Sequence, residues 1–97
     1  MADIKLELDK FNNGAFRLYE DGHKQGEMIL QISDGKLTVF HTEVSPESEG
    51  KGYAKQLLDA MTAYAREHQL KVVPLCPYVH AQFRRHPELY EDIWAKE

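Results

Sequence analysis

Val44-Ser45-Pro46-Glu47-Ser48-Glu49-Gly50-Lys51-Gly52-Tyr53-Ala54-Lys55-Gln56-Leu57-Leu58-Asp59-Ala60-Met61-Thr62-Ala63-Tyr64-Ala65 is the stretch on which the fold turns. Before it, apolar and polar residues alternate. From Gly52 on, the apolar positions fall at Ala54, Leu57, Leu58, Met61, Tyr64 and Ala65, which is helical spacing. A loop with Gly50 and Gly52 separates the two patterns. The helix it opens has no Ser, Thr, Asp or Asn immediately ahead of it, so its free N–H groups lack a side-chain cap. The nearest candidate, Ser48, lies several residues back. Lys51 and Lys55 flank the start, where cations oppose the helix dipole. Exposed N–H groups, permissive glycines and nearby lysines together describe a phosphate site. The competing reading is a glycine turn whose amides bond water and whose lysines are neutralised by Glu47 and Glu49.

Toward the N-terminus the chain reads as an antiparallel meander. Residues 1–3 are expected to fray. Ile4, Leu6 and Leu8 alternate with Lys5, Glu7 and Asp9, giving a half-buried strand. Phe11-Asn12-Asn13-Gly14 reads as a turn, 15–20 as a second strand and Asp21-Gly22 as another turn. A third strand spans 25–33, with Met28, Leu30 and Ile32 on one side. Asp34-Gly35 is a two-residue hairpin turn that wants positive φ at both positions. A fourth strand spans 36–44.

Toward the C-terminus the helix is expected to end near His68 or Gln69. Residues 70–75 follow as a fifth strand, parallel to the fourth through a right-handed β-α-β crossover. Residues 78–85 form a second helix closed by Pro87, and 89–94 a short terminal turn that docks its aromatics on the core. The predicted class is α+β: a mainly antiparallel sheet of about five strands, one parallel pair that splays, and two helices. Ligands of parallel units sit outside the strands' carboxyl ends. That places Val44, residues 50–54 and Cys76 around one mouth.

The bulk properties narrow the function. Ninety-seven residues make one domain, long enough to bury roughly 65% of the unfolded surface in a single core. A net charge of −4 argues against nucleic-acid binding, with only a short basic run at Arg84-Arg85-His86. No apolar run approaches a membrane-spanning length, and no signal peptide precedes the first strand. The single cysteine, Cys76, rules out an internal disulfide, and no His/Cys cluster has metal-ligand spacing. These features together predict a cytoplasmic location. Nothing in the sequence specifies an oligomeric state.

The glycine loop fits neither common phosphate template. The dinucleotide fingerprint needs a third glycine, and a P-loop needs a Gly-Lys-Ser/Thr ending that no window supplies. What remains is Glu49-Gly50-Lys51-Gly52-Tyr53-Ala54. It resembles the acyl-coenzyme-A loop of the GNAT acetyltransferase superfamily, (Gln/Arg)-x-x-Gly-x-(Gly/Ala). Gly52 and Ala54 match the last two fixed positions, and Glu49 stands where Gln or Arg is usual. His41-Thr42-Glu43-Val44 and Val73-Pro74-Leu75-Cys76-Pro77-Tyr78-Val79 strengthen the likeness to the very short, single-domain branch. The resemblance covers roughly residues 37–90. The N-terminal helices of longer members, which usually shape the acceptor site, have no counterpart.

The resemblance implies an N-acetyltransferase of one domain, residues 1–97, that uses acetyl-coenzyme A and a small-molecule or peptide amine. Backbone amides of Gly50, Lys51, Gly52, Tyr53 and Ala54 would hold the pyrophosphate. The pantetheine arm would run between strands four and five, against the backbone near Thr42 and Val44, with the thioester near Cys76. Arg84 and Arg85 would meet the remaining phosphate, or form a solvated helix end.

Acetyl transfer needs a base for the amine's proton, and Glu43 and His41 are the candidates. They stand two apart on one strand, hence on one face. Cys76 is either a small core residue or a thiol that takes part, with His41 or Glu43 beside it as activating base. Tyr78 is a candidate acid or a packed helix-start aromatic. Two other readings remain open. One is an acyl-coenzyme-A-binding protein without turnover. The other, for which Glu49 argues, is a structural domain that has lost the ligand.

Overall fold

The computed structural model describes residues 2–96. Alternating side chains make one side of β1 (Asp3–Leu8) apolar, and that side needs cover. β2 (Asn13–Glu20), β3 (His23–Ser33) and β4 (Lys36–Val44) repeat the pattern, each antiparallel to the strand before it. α1 (Tyr53–Glu67) then crosses over, and β5 (Lys71–Pro74) pairs parallel with β4. The five strands form one sheet in chain order, the predicted α+β arrangement. α2 (Pro77–Arg85) and a single turn, α3 (Pro87–Tyr90), complete the fold.

Three local expectations are corrected. Asp3 does not fray but pairs with Tyr19 as the first residue of β1; Met1 lies outside the described residues. Asn13 and Gly14 belong to β2 rather than to the turn, because the Asp9 carboxylate accepts the N–H groups of Phe11 and Asn13 at 2.8 and 3.0 Å and tightens the turn ahead of them. At Gly14 a Cβ would stand 1.9 Å from the Glu7 carbonyl oxygen, so only glycine permits this approach of β1. Finally, Pro87 both closes α2 and starts α3, since proline suits the first position of a helix.

The core joins Phe16, Leu18, Met28, Leu30, Leu37, Val39 and Val72 of the sheet to Leu57, Leu58, Met61 and Ala65 of α1 and to Val79 and Phe83 of α2. Tyr90 stacks on Phe83 at 4.6 Å and Trp94 meets the same ring edge-on at 5.5 Å, so the terminal aromatics do dock. All of these side chains belong to one cluster, so the helices lie on one face of the sheet. The other face carries Glu7, Arg17, Glu27, Ile29, His41 and Glu43, and no helix of the described residues covers it.

A bulge decides what β4 presents. Pairing between β3 and β4 runs Ile29 to His41 but Leu30 to Val39, which leaves Phe40 unopposed and 45% exposed. Strict alternation would put Val39, His41 and Glu43 on one side. The extra residue resets the alternation. Thr42 lies opposite the buried Met28 and faces the core, as Val39 does opposite Leu30, while His41 and Glu43 face outward.

Candidate active site

The glycine loop is built as its composition demands. Pro46–Ser48 make one 3-10 turn, and Gly50 and Gly52 then take left-handed φ values of 87° and 77°. Gly52 is the N-cap of α1 and no side chain caps the helix. The first helical bond runs from the Gln56 N–H to the Gly52 carbonyl at 3.1 Å, so the N–H groups of the first turn stay available. A Cβ at Gly50 or Gly52 would meet nothing within 4 Å. The space in front is a cavity of about 480 Å³ whose lining includes Val44, Gly50, Gly52, Tyr53, Ala54 and Tyr78.

Distant side chains hold this loop. The Gln25 Oε1 accepts the hydroxyls of Ser45 and Ser48 at 2.6 and 2.7 Å, and its carbonyl accepts the Ser45 N–H at 2.8 Å. Ser48 is therefore a buried brace and not a distant helix cap. Lys51 pairs with Glu20 at 3.3 Å and lies over the Tyr53 ring, while Lys55 pairs with Asp59 at 2.8 Å. The lysines are neutralised, but by Glu20 and Asp59 rather than by Glu47 and Glu49. The Tyr53 hydroxyl, followed by the Lys51 ammonium, holds the Glu20 carboxyl below the usual carboxylate range. The Lys51 N–H already bonds the Ser48 carbonyl at 3.2 Å. Among the described residues of the loop and helix start, the uncommitted donors are the N–H groups of Gly50, Gly52, Tyr53, Ala54 and Lys55. Glu20 and Gln25 were invisible as site residues, because nothing local marks a side chain whose partner lies a hairpin away.

The second half of the site lies where the parallel pair ends. β4 and β5 pair only from Lys36–Lys71 to Val39–Pro74. The Cys76 N–H bonds the Val39 carbonyl at 2.9 Å as the last link, after which the chain enters α2 and β4, still paired with β3, runs on to Val44 without β5. Across this gap the Thr42 Oγ1 lies 3.3 Å from the Cys76 Sγ, and Cys76 is 1% exposed. The thiol's polar neighbour is thus Thr42. His41 and Glu43 are brought together as expected, but on the opposite face, so neither serves as an activating base beside Cys76. The bulge at Phe40 is the cause.

Tyr78 stands half-buried in the first turn of α2, on the wall of the loop cavity. Burial pushes its phenol up, against the opposing effect of the Lys55 charge. Arg84 and Arg85 are exposed in the last turn of α2 and line a separate shallow hollow with Ala81. Gly50, Gly52, Tyr53, Ala54, Val44 and Tyr78 therefore share one opening. Thr42 meets the buried Cys76 where the β4–β5 pairing ends, His41 and Glu43 stand on the opposite face of the sheet, and the two arginines sit apart from the lining.

Comparisons with known proteins bear on this arrangement. The sequence profile of the family described as GCN5-related N-acetyl-transferase matches residues 15–93. A solved ribosomal-protein-alanine N-acetyltransferase from Brucella melitensis biovar Abortus superposes with a TM-score of 0.69 at 23% identity, covering 100% of this chain and 93% of the other. A GCN5-like candidate N-acetyltransferase from Staphylococcus aureus gives 0.69 at 26% identity, covering 98% and 89%. The ribosomal-protein-S18-alanine N-acetyltransferase of Escherichia coli gives 0.67 at 17% identity; 84% of this chain matches 54% of that one. No curated protein sequence matches.

Proposed function

The chain belongs to the GCN5-related N-acetyltransferase family, and from that premise we propose that it is a cytoplasmic, acetyl-coenzyme-A-dependent N-acetyltransferase. The observation that carries the reading is the uncapped start of α1. Two left-handed glycines there leave open space where any other residue would carry a Cβ, beside the gap between β4 and β5. Such a cradle suits a pyrophosphate. The amides of Gly50, Gly52, Tyr53 and Ala54 would hold it, with that of Lys51 joining if it leaves the Ser48 carbonyl. The edge of β4 near Thr42 and Val44 that β5 leaves unpaired would receive the pantetheine arm, and Arg84 or Arg85 would reach the remaining phosphate. Bound there, acetyl-coenzyme A supplies an acetyl group on a thioester for transfer to an amine nitrogen, with release of the free thiol.

The protein's own residues divide the remaining work. Glu43 and His41, exposed and outward-facing, take the proton from the acceptor amine, a role worth roughly 10²–10⁴-fold in rate. Cys76, with Thr42 against its sulfur and no base beside it, lines the thioester end rather than carrying the acetyl group. Tyr78 is placed to return a proton. Direct transfer is therefore favoured over an acyl-enzyme. A Cys76→Ala variant is expected to keep measurable turnover; its complete loss, with the fold retained, would establish a thiol-dependent route instead.

The test of cofactor binding is calorimetric titration with coenzyme A and acetyl-coenzyme A, repeated on Gly52→Asp. The new side chain meets no protein atom, and aspartate tolerates left-handed φ, so the variant is expected to fold. It carries negative charge into the cradle and is expected to abolish binding. Absence of binding by the native chain at millimolar ligand would remove the enzyme reading.

A further inference from the structure

The uncovered face of the sheet says what kind of amine the site takes, an inference that rests on the acetyl-transfer reading above. Cross-strand pairing sets Ile29 beside His41 and Glu27 beside Glu43, and these two pairs are adjacent rungs of one ladder. Direct cross-strand neighbours stand about 5 Å apart and successive same-face residues about 6.6 Å. Phe40, bulged out and 45% exposed, adjoins the Ile29 end. It shares with Ile29 and Arg17 the wall of a hollow of about 560 Å³. A second hollow, about 270 Å³, has Glu27 and Glu43 on its wall. His41 stands between the apolar end and the acidic end.

A charge census of this face is decisive. Glu27 accepts from both Arg17 and Lys24, each at 3.1 Å. Glu7 is held by Arg17 at 3.1 Å and by the Tyr19 hydroxyl at 2.9 Å. Asp9 accepts two backbone N–H groups of its own turn. Among the described residues the Glu43 carboxylate has no hydrogen-bond or ion-pair partner. On the β3–β4 half of the face Glu43 is therefore the uncommitted carboxylate among the described residues, and the two carboxylates on the wall of the hollow beside Phe40, Glu7 and Asp9, are already engaged. An acceptor with several ammonium groups would find one uncommitted carboxylate there, the others being held by Arg17, Lys24, Tyr19 or backbone N–H groups. An acceptor with a single ammonium and an apolar body finds complementary partners for both.

We propose that the acceptor is a monoamine whose nitrogen lies two or three bonds from an aromatic or branched apolar group. Its ammonium sits at Glu43 and His41, and its body rests on Ile29 and Phe40. The span from Glu43 to Ile29, one rung of the ladder, matches that molecular length.

The test uses the full chain with saturating acetyl-coenzyme A. 2-Phenylethylamine, spermidine and an alanine-leading peptide are compared by kcat/KM. Phenylethylamine is expected to exceed the other two by at least about tenfold, the scale of one well-placed apolar contact. Phe40→Ser, at an exposed position, is expected to raise KM for phenylethylamine about tenfold with kcat nearly unchanged. A preference for spermidine or the peptide, or a KM that Phe40→Ser does not move, overturns the proposal. Nuclear magnetic resonance titration with phenylethylamine alone separates this outcome from failure of the cofactor reading. Amide shifts are expected at Ile29, Phe40, His41 and Glu43 whether or not coenzyme A binds, and their absence overturns the proposal on its own.

Discussion

On the helix-covered side of the sheet, Phe16, Leu18, Met28, Leu30 and Leu37 are sealed under α1 and α2; on the other side, the residues between them, Arg17, Glu27 and Ile29 among others, meet solvent. The same strands supply both sets, because a period of two sends neighbours to opposite faces. One face is closed by apolar packing, which tolerates little change. The other is held by cross-strand ion pairs such as Arg17 with Glu27 at 3.1 Å, which contribute little but leave room for a ligand. Pairing of β4 with β5 ends at Val39 and Pro74, and beyond it Thr42 of the sheet meets Cys76 at the start of α2.

The sharpest way to break that contrast is on the closed face. Phe83 is fully buried and stacked on Tyr90, so Phe83→Ala is expected to destabilise by about 3–5 kcal/mol in urea unfolding. A cost below about 1 kcal/mol would show that α2 and the C-terminal turn are not part of the cooperative core.

The loop between the faces should respond at an intermediate level. Gln25→Leu leaves the buried Ser48 hydroxyl and that of Ser45 without their acceptor, and a loss of about 1–3 kcal/mol is expected. Gln25→Glu keeps an acceptor oxygen and is expected to stay close to the native value. Equal losses in both variants would mean that side-chain packing, not hydrogen bonding, braces the loop.

On the uncovered face, Arg17→Met is expected to cost less than about 1 kcal/mol, since its pairs are partly exposed. A loss as large as that of Phe83→Ala would erase the contrast between the faces. The smallest effect is that of mild acid. Four carboxyls are held below their ordinary values, Glu7 among them through the Arg17 guanidinium and the Tyr19 hydroxyl. Tyr53 and Lys51 do this for Glu20, and Arg66 for Asp92; at Glu27, burial pushes upward but is outweighed by Lys24 and Arg17. A lowered folded value means that the unfolded chain binds these protons more readily, so their stabilisation is complete above the ordinary carboxylate value of about 4 and is lost as pH falls through the lowered values. Urea midpoints are expected to hold from pH 7 to about pH 5 and to decline below. A decline beginning near pH 6.5 would point to histidine instead.

Much of this architecture was legible in the residues. The Asp34-Gly35 hairpin, with positive φ at both positions, and the bounds of β4 follow from turn chemistry and alternation acting over a few residues. The uncapped helix start was legible for the same reason, since a cap is a local event. Less legible was whatever depended on a distant partner. Lys51 looked like an anion ligand until Glu20, brought in by the β2–β3 hairpin, was found against it. Ser48 stood too far back to cap the helix, and its actual partner, Gln25, lies a strand away.

The one-residue bulge at Phe40 marks the boundary most clearly. Sequence by itself determined that a strand, a glycine loop, a helix and a second strand would follow one another, because hydrophobic period and turn chemistry act between near neighbours. It also determined that His41 and Glu43 share a face. Which face they share was decided by tertiary structure. Pairing of β4 with β3 admits an extra residue, reverses the alternation beyond it, turns Thr42 toward Cys76 and leaves His41 and Glu43 looking outward. Register is a property of two strands together, and no single strand's pattern contains it.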